Sequence, residues 1–225
     1  MHIKCVDLFC GAGGASMGYH QAGFAVTGVD LNAQPRYPFP FIQADALSLS
    51  RGFLAGFDFI HASPPCQAHT ALKTMHNALP HDAKMIERTR RALMGTGKPW
   101  VIENVVGAPL RDPVMLCGSM FGLQTEGGAQ LHRHRIFEAS FPLTAPRCDH
   151  RADADVIGIY GGHYRNRSRA AGKNREAPDF TAADGRTAMQ IDWMTGVEIS
   201  QAIPPAYSRW IAEQWLAQRD VRMAA

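Results

Sequence analysis

A chain of 225 residues, 46% hydrophobic and 19% charged, is long enough for one substantial core with or without an insert, and falls in the ordinary globular class without repeats or low-complexity runs. Its net charge of +3 is too small to name a polyanionic partner, and no apolar run approaches the roughly 18 residues needed to span a bilayer. Met1 to Lys4 leads straight into a strand with no cleavable signal segment, and the five cysteines, Cys5, Cys10, Cys66, Cys117 and Cys148, are an odd set without CxxC spacing. Free thiols and an intracellular, cytoplasmic location are therefore expected, with no membrane association.

In chain order, Ile3 to Phe9 reads as the first strand, Ala25 to Asp30 as the second, Phe41 to Asp45 as the third, Phe57 to Ser63 as the fourth and Trp100 to Val105 as the fifth. Ala15 to Ala22, stopped by Gly23, suits a helix, as does Asp82 to Met94, where Ala83, Ile86 and Leu93 can form an inward stripe. This alternation predicts an α/β fold with a mostly parallel, doubly wound sheet. Arg133 to Ala139 has the alternation of a late strand, and residues 143–187 are the least regular part of the chain. Helical patterning returns from Met189, breaks at Pro204 and Pro205, and resumes with Tyr207, Trp210, Ile211 and Trp215 at core positions. The expected organisation is a sheet domain of residues 1–142 and 188–225 interrupted by a small insert at 143–187.

Five groups of residues could carry chemistry. Gly11, Gly13 and Gly14, between the first strand and its helix, let a backbone approach a nucleotide-type ligand, although Ser16 replaces the third glycine of the dinucleotide fingerprint. Asp30 with Leu31 and Asp45 with Ala46 follow at successive strand ends, in the order in which a nucleoside would lie; each aspartate alone fits a turn or helix cap equally well. The stiff turn Pro64-Pro65-Cys66-Gln67 aims a thiol at the sheet edge, where it could be a nucleophile or a small core residue. Glu103 ends the next strand, suited to holding or donating a proton. Arg133 and Arg135, two apart, would share one strand face and could bind a base carbonyl and a phosphate.

Two further features remain open on the residues alone. Arg165, Arg167, Arg169, Lys173 and Arg175 form a basic stretch without acidic residues, which reads equally as a phosphate-contacting loop and as a solvated surface. Cys148 and His150 could share a metal, but without a second pair of ligands they read as loop residues, and no metal is expected.

Taken as an ordered set, Asp7 to Gly18, Asp30 with Leu31, Asp45, Pro64 to Gln67, Glu103 to Val105, Arg133 to Arg135 and Glu198 to Pro205 resemble the C5-cytosine DNA methyltransferase family, over nearly all of the chain outside 143–187. The resemblance implies a Rossmann-like methyltransferase fold, S-adenosylmethionine as cofactor, double-stranded DNA as substrate and a monomer that flips cytosine out of the duplex. It makes Cys66 the nucleophile at C6, Glu103 the group at N3 and the exocyclic amine, Arg135 the holder of O2 and Arg133 a support for the pocket or a phosphate. The cofactor would contact Asp7, Phe9, Gly11, Gly13, Asp30, Leu31, Asp45, Ala46, Pro65 and Gln201, with Glu198 to Pro205 folding back to close the methionine end.

The sequence departs from the family pattern at Leu131, usually glutamine, at Gln201, usually asparagine, and at His69, often phenylalanine. The insert is also small for a target-recognition region, which implies a short or relaxed site or a recognition partner. Three alternatives stand beside this reading. A tRNA cytosine methyltransferase would share the fold, but the Cys-Phe-Thr tripeptide of that branch is missing. An inactive cofactor- and DNA-binding accessory module is disfavoured by retention of Cys66, Glu103, Arg133 and Arg135. An NAD oxidoreductase leaves the Pro-Cys-Gln turn without a purpose.

Overall fold

The structure, a computed structural model, describes residues 3–65, 84–168 and 178–224. A seven-stranded sheet is built from β1 (Lys4–Leu8), β2 (Ala25–Asp30), β3 (Phe41–Gln43), β4 (Phe59–Ala62), β5 (Trp100–Asn104), β6 (Val114–Leu116) and β8 (Arg135–Ala139), in the order β3-β2-β1-β4-β5-β8-β6. The first five strands run parallel, and β8 pairs antiparallel with both β5 and β6. Six of these strands, all but β6, were legible in the sequence to within two residues at each end, the five parallel ones because a parallel sheet covered on both faces needs near-continuous apolar runs. Strand order reverses between β1 and β4, so the crevice beyond their carboxyl ends is the expected place for a ligand.

Alternate residues feed the two sides of the sheet. Cys5, Phe59 and Val101 join the core beneath α1 (Gly14–Gln21) and α6 (Pro205–Ala224), whereas Val6, Leu8, Ile60 and Ile102 join the core that includes Leu54 of α2 (Arg51–Ala55) and Leu93 of α3 (Met85–Met94). Tyr19, Phe24, Phe59 and Trp215 meet ring to ring in the first core, with centroids 5.2–5.8 Å apart. Gly18 permits α1 and α6 to touch: a Cβ there would lie 2.0 Å from the Pro205 carbonyl oxygen. On the other side, Arg90 of α3 binds Glu138 of β8 through Nε and Nη2, each at 2.7 Å, so a buried ion pair fixes the helix against the sheet.

The segment read as least regular is more ordered than its composition suggests. Β9 (Val156–Tyr160) pairs antiparallel with β10 (His163–Asn166) and parallel with the short β7 (Gln130–Leu131), and α4 (Ala182–Met189) begins at a Thr181–Asp184 capping box. Β7 is only two residues long and β10 rests on polar residues such as Arg165 and Asn166, which hides both from the sequence; β9, Val156-Ile157-Gly158-Ile159-Tyr160, is an apolar run that the surrounding irregular composition obscured. The small sheet also draws β7 from before residue 143, so its ladder crosses the boundary expected between sheet domain and insert. A second capping box, Thr195 with Glu198, starts α5 (Gly196–Gln201).

Candidate active site

The turn after β1 is shaped by three left-handed residues, Phe9 at φ 59°, Gly11 at φ 50° and Gly13 at φ 89°. Only glycine adopts this region without cost, so the strain falls on Phe9. The Gly11 N–H donates to Asp30 Oδ2 at 3.1 Å, which ties the turn to the end of β2, and Asp30 Oδ1 accepts from Asn32 N–H at 2.9 Å. Each Asp30 oxygen keeps a second lone pair, and the carboxylate is partly exposed. Next to it Leu31 is 65% exposed, an apolar side chain left open to solvent at the end of β2. Asp45 is exposed with Oδ1 accepting from Leu47 N–H, while Ala46 is buried against the second core.

Asp7 sits beneath this turn. It is buried, accepts a hydrogen bond from Ser16 Oγ through Oδ2, and leaves Oδ1 with no partner. Burial pushes its carboxyl up to about 7, partly opposed by the Ser16 hydroxyl and reinforced by Asp30 and Glu103. The chain from α5 to α6 returns to the same place. A Cβ on Gly14 would lie 2.4 Å from the Ile203 carbonyl oxygen, and Trp193 Nε1 donates to the Ala12 carbonyl at 2.9 Å. Gln201 is exposed at the end of α5.

Across the switch point, Pro64 and Pro65 follow β4. Asn104 Nδ2 donates to the Pro64 carbonyl at 2.9 Å, fastening the turn that leads into Cys66; Cys66 itself lies outside the described residues, as do Gln67, His69 and Ala83. Glu103, one residue earlier on β5, is buried and receives Arg135 Nε on Oε1 at 3.1 Å and a hydrogen bond from the Ser63 hydroxyl. Its carboxyl is raised above the usual range because burial outweighs the opposing effects of Arg135, Ser63 and Arg133. Behind Ser63, fully buried His61 is bracketed by Ser63 Oγ at Nε2 and Tyr19 OH at Nδ1, both at 2.9 Å. Burial lowers this imidazole to about 3, so it stays neutral and passes an oriented hydrogen bond toward Ser63 and Glu103.

Arg133 and Arg135 do not share the setting read from their spacing. Β8 begins only at Arg135, and Arg133 turns inward, where Nε, Nη1 and Nη2 donate to the carbonyls of Ala202, Ile159 and Ser200 at 2.7–3.2 Å. Tyr207 OH donates to the Arg133 carbonyl in turn. This arginine therefore ties β9 and the end of α5 to the site, and burial brings its guanidinium down to about 9. Arg135 alone meets the carboxylate of Glu103. Asn104 was read only as part of the Glu103 to Val105 motif, without a role of its own, and Ser63, His61 and Tyr19 were not singled out by sequence; the polar pair His61 and Ser63 within the apolar β4 run was the available signal.

A family model now bears on these residues. Residues 3–95 match the model described as C-5 cytosine-specific DNA methylase. The resemblance carried by the motifs holds there. The matched stretch contains the glycine turn, Asp30, Asp45 and the Pro64 to Gln67 motif; Glu103 and both arginines lie beyond it. No curated protein matches the chain. Among solved structures, a candidate DNA modification methyltransferase encoded within an E. coli prophage aligns with TM-score 0.61 and 14% identity over 96% of this chain and 99% of its own. A triple mutant of Spodoptera frugiperda DNMT2 aligns with TM-score 0.60 and 13% identity over 96% and 98% of the two chains, and S. pombe Dnmt2 methyltransferase with 0.61 and 12% over 94% and 98%. At these identities the likeness establishes the methyltransferase-type α/β fold across nearly the whole chain.

Proposed function

We propose that the protein is a DNA (cytosine-5-)-methyltransferase that uses S-adenosylmethionine, and the observation that carries this reading is the setting of Glu103. A buried carboxyl of raised pKa, oriented by Arg135 and Ser63, stands at the end of β5 beside Asn104, which fastens the turn entering Cys66. Such a group can protonate N3 of a cytosine as a thiolate adds to C6, and so offset the charge that develops on the ring. Arg135 supplies a donor for O2, and Arg133 supports it from behind. The thiolate of Cys66 would bond to C6 and make C5 nucleophilic; S-adenosylmethionine would supply the methyl group and leave as S-adenosylhomocysteine, and passage of the C5 proton to solvent with expulsion of the thiolate would restore the aromatic ring. Cytosine reaches these groups only outside the base stack.

The residues around the glycine turn fit the cofactor. A Cβ built on Gly11 meets nothing within 4 Å, Asp30 has acceptor capacity for ribose hydroxyls, and exposed Leu31 offers an apolar face for the adenine. Asp45, with Oδ1 engaged by Leu47 N–H, keeps acceptor capacity for the adenine amino group; Phe9 and Pro65 follow β1 and β4, and Gln201 precedes the Ala202 and Ile203 stretch that lies against Gly14. S-adenosylmethionine would supply the transferable methyl group; the protein holds and orients both partners.

Double-stranded DNA is the proposed substrate, with a monomer acting in the cytoplasm, alone or in a restriction-modification setting. Residues 143–187 would form the recognition insert on a catalytic domain of 1–142 and 188–225, and their small number favours a short site or a second protein that aids recognition. No helix among the described residues is long and apolar enough to cross a membrane. The deciding experiment is transfer of labelled methyl from S-adenosylmethionine to duplex DNA and, in parallel, to tRNA, with base-resolution mapping of 5-methylcytosine. Product in DNA that disappears in Cys66→Ala while cofactor affinity is kept is the expected result. Product only in tRNA would move the assignment to RNA, and cofactor binding without transfer to either would favour an accessory module.

A further inference from the structure

Cys148 and His150, read from sequence as lacking a second pair of candidate ligands, have such a pair beside them. Cys117, after β6, and His134, just before β8, converge on them, and the four ligand atoms all lie within 4.8 Å of one another. A tetrahedral zinc site with bonds of about 2.3 Å to sulfur and 2.0–2.1 Å to nitrogen places its ligand atoms roughly 3.3–3.8 Å apart. The His150 Nε2 atom is 3.1 Å from both Cys117 Sγ and Cys148 Sγ. One ring nitrogen offers either one proton or one lone pair, so it cannot pair well with two thiols at once, whereas a shared cation satisfies all three atoms.

The surroundings are built to hold this arrangement. Ser119 Oγ lies 3.3 Å from Cys117 Sγ and 3.4 Å from Cys148 Sγ, where it can donate to thiolate. His132 stacks on His150 with centroids 3.7 Å apart and planes 15° from parallel. Gln130 fixes the chain on both sides of His150, donating to the Asp149 carbonyl at 2.9 Å and accepting from Arg151 N–H at 2.9 Å. Such outer contacts are what orient ligands around a metal.

We propose that Cys117, His134, Cys148 and His150 form a closed, structural zinc site. Two thiolates and two neutral imidazoles around a dication give a neutral centre, the two thiol protons passing to solvent on binding. With four protein ligands no coordination position is left for substrate, so the ion acts as a staple. It joins the segment after β8 to the main sheet and fixes His134, which lies between Arg133 and Arg135. The inference is independent of the reaction assigned above, because its test reads metal and not methyl transfer.

The test is zinc content of the full chain, made without a polyhistidine tag in zinc-supplemented cells and purified under reductant, together with the visible spectrum after exchange with cobalt. About one zinc per chain and the spectrum of tetrahedral thiolate-bound cobalt are expected, and Cys148→Ser or His150→Ala should lower zinc content at least about tenfold while the exposed control His163→Ala does not. Removal of zinc by a chelator should lower the melting temperature of the parent and leave that of Cys148→Ser unchanged. Less than roughly a tenth of a zinc per chain with no cobalt spectrum would overturn the proposal. So would full zinc content in Cys148→Ser, or a Cys117–Cys148 disulfide in freshly isolated protein. The cobalt spectrum of the parent decides the matter even if the variants fail to fold.

Discussion

Asp7 and Glu103 show how one physical cause serves two residues differently. Both are buried carboxyls raised by desolvation, but Glu103 has Arg135 and Ser63 to hold it, whereas Asp7 has Ser16 at one oxygen and nothing at the other. For Asp7 the folded value of about 7 lies above the ordinary carboxylate value, so the folded state binds a proton more tightly than the unfolded chain. Its contribution to stability is complete below the unfolded pKa and is lost as pH rises through 7, by an amount on the order of a few kcal/mol. Asp7→Asn keeps the acceptor for Ser16 and removes the titration. The melting temperature of this variant should therefore change less between pH 4 and pH 7 than that of the parent, and equal slopes would refute the account.

At the scale of elements, contact between α1 and α6 depends on one small residue. Alanine is about 1 kcal/mol better than glycine inside a helix, so by propensity alone Gly18→Ala should stabilise the protein. The added Cβ would lie 2.0 Å from Pro205 O, 2.1 Å from Ser208 Oγ and 2.8 Å from Arg209 N, and two of these three atoms are backbone. Overpacking of this kind typically costs 1–3 kcal/mol or more, so a net loss of about 1–2 kcal/mol in urea denaturation is expected. Arg133 is the other element-scale device, since its three carbonyl partners lie on β9 and at the end of α5. Its spacing from Arg135 suggested a shared strand face; the late start of β8 made the inner arginine a brace.

At the scale of the molecule, the proposed insert presents basic residues that the small sheet holds in defined places. Arg165 is paired with Asp179 at 2.8 Å and Arg167 lies 5.5 Å over the ring of Tyr160, while Arg169, Lys173 and Arg175 fall outside the described residues. Arg165 is already partly neutralised, so a phosphate would have to compete with Asp179 for it. If this surface nevertheless meets DNA, Arg165→Ala combined with Arg167→Ala should weaken binding and flatten the dependence of affinity on salt by up to about two in the logarithmic slope. An unchanged slope in a filter-binding or anisotropy titration would return the basic stretch to an ordinary solvated surface.

The sequence by itself determined the parallel core and the order of its strand ends. Strands covered on both faces demand apolar runs, and the turns after them carried glycine, aspartate and proline at readable places. The setting of Asp30, Leu31 and Glu103 at one sheet edge follows from that order. Tertiary structure decided what local pattern does not encode: the inward turn of Arg133, the line of Tyr19, His61 and Ser63 behind Glu103, and the small sheet in which β7 pairs with the later β9. It also decided the meeting of Cys117 and His134 with Cys148 and His150. These are contacts between residues distant in the chain, made by polar side chains whose partners appear only once the strands have taken their places.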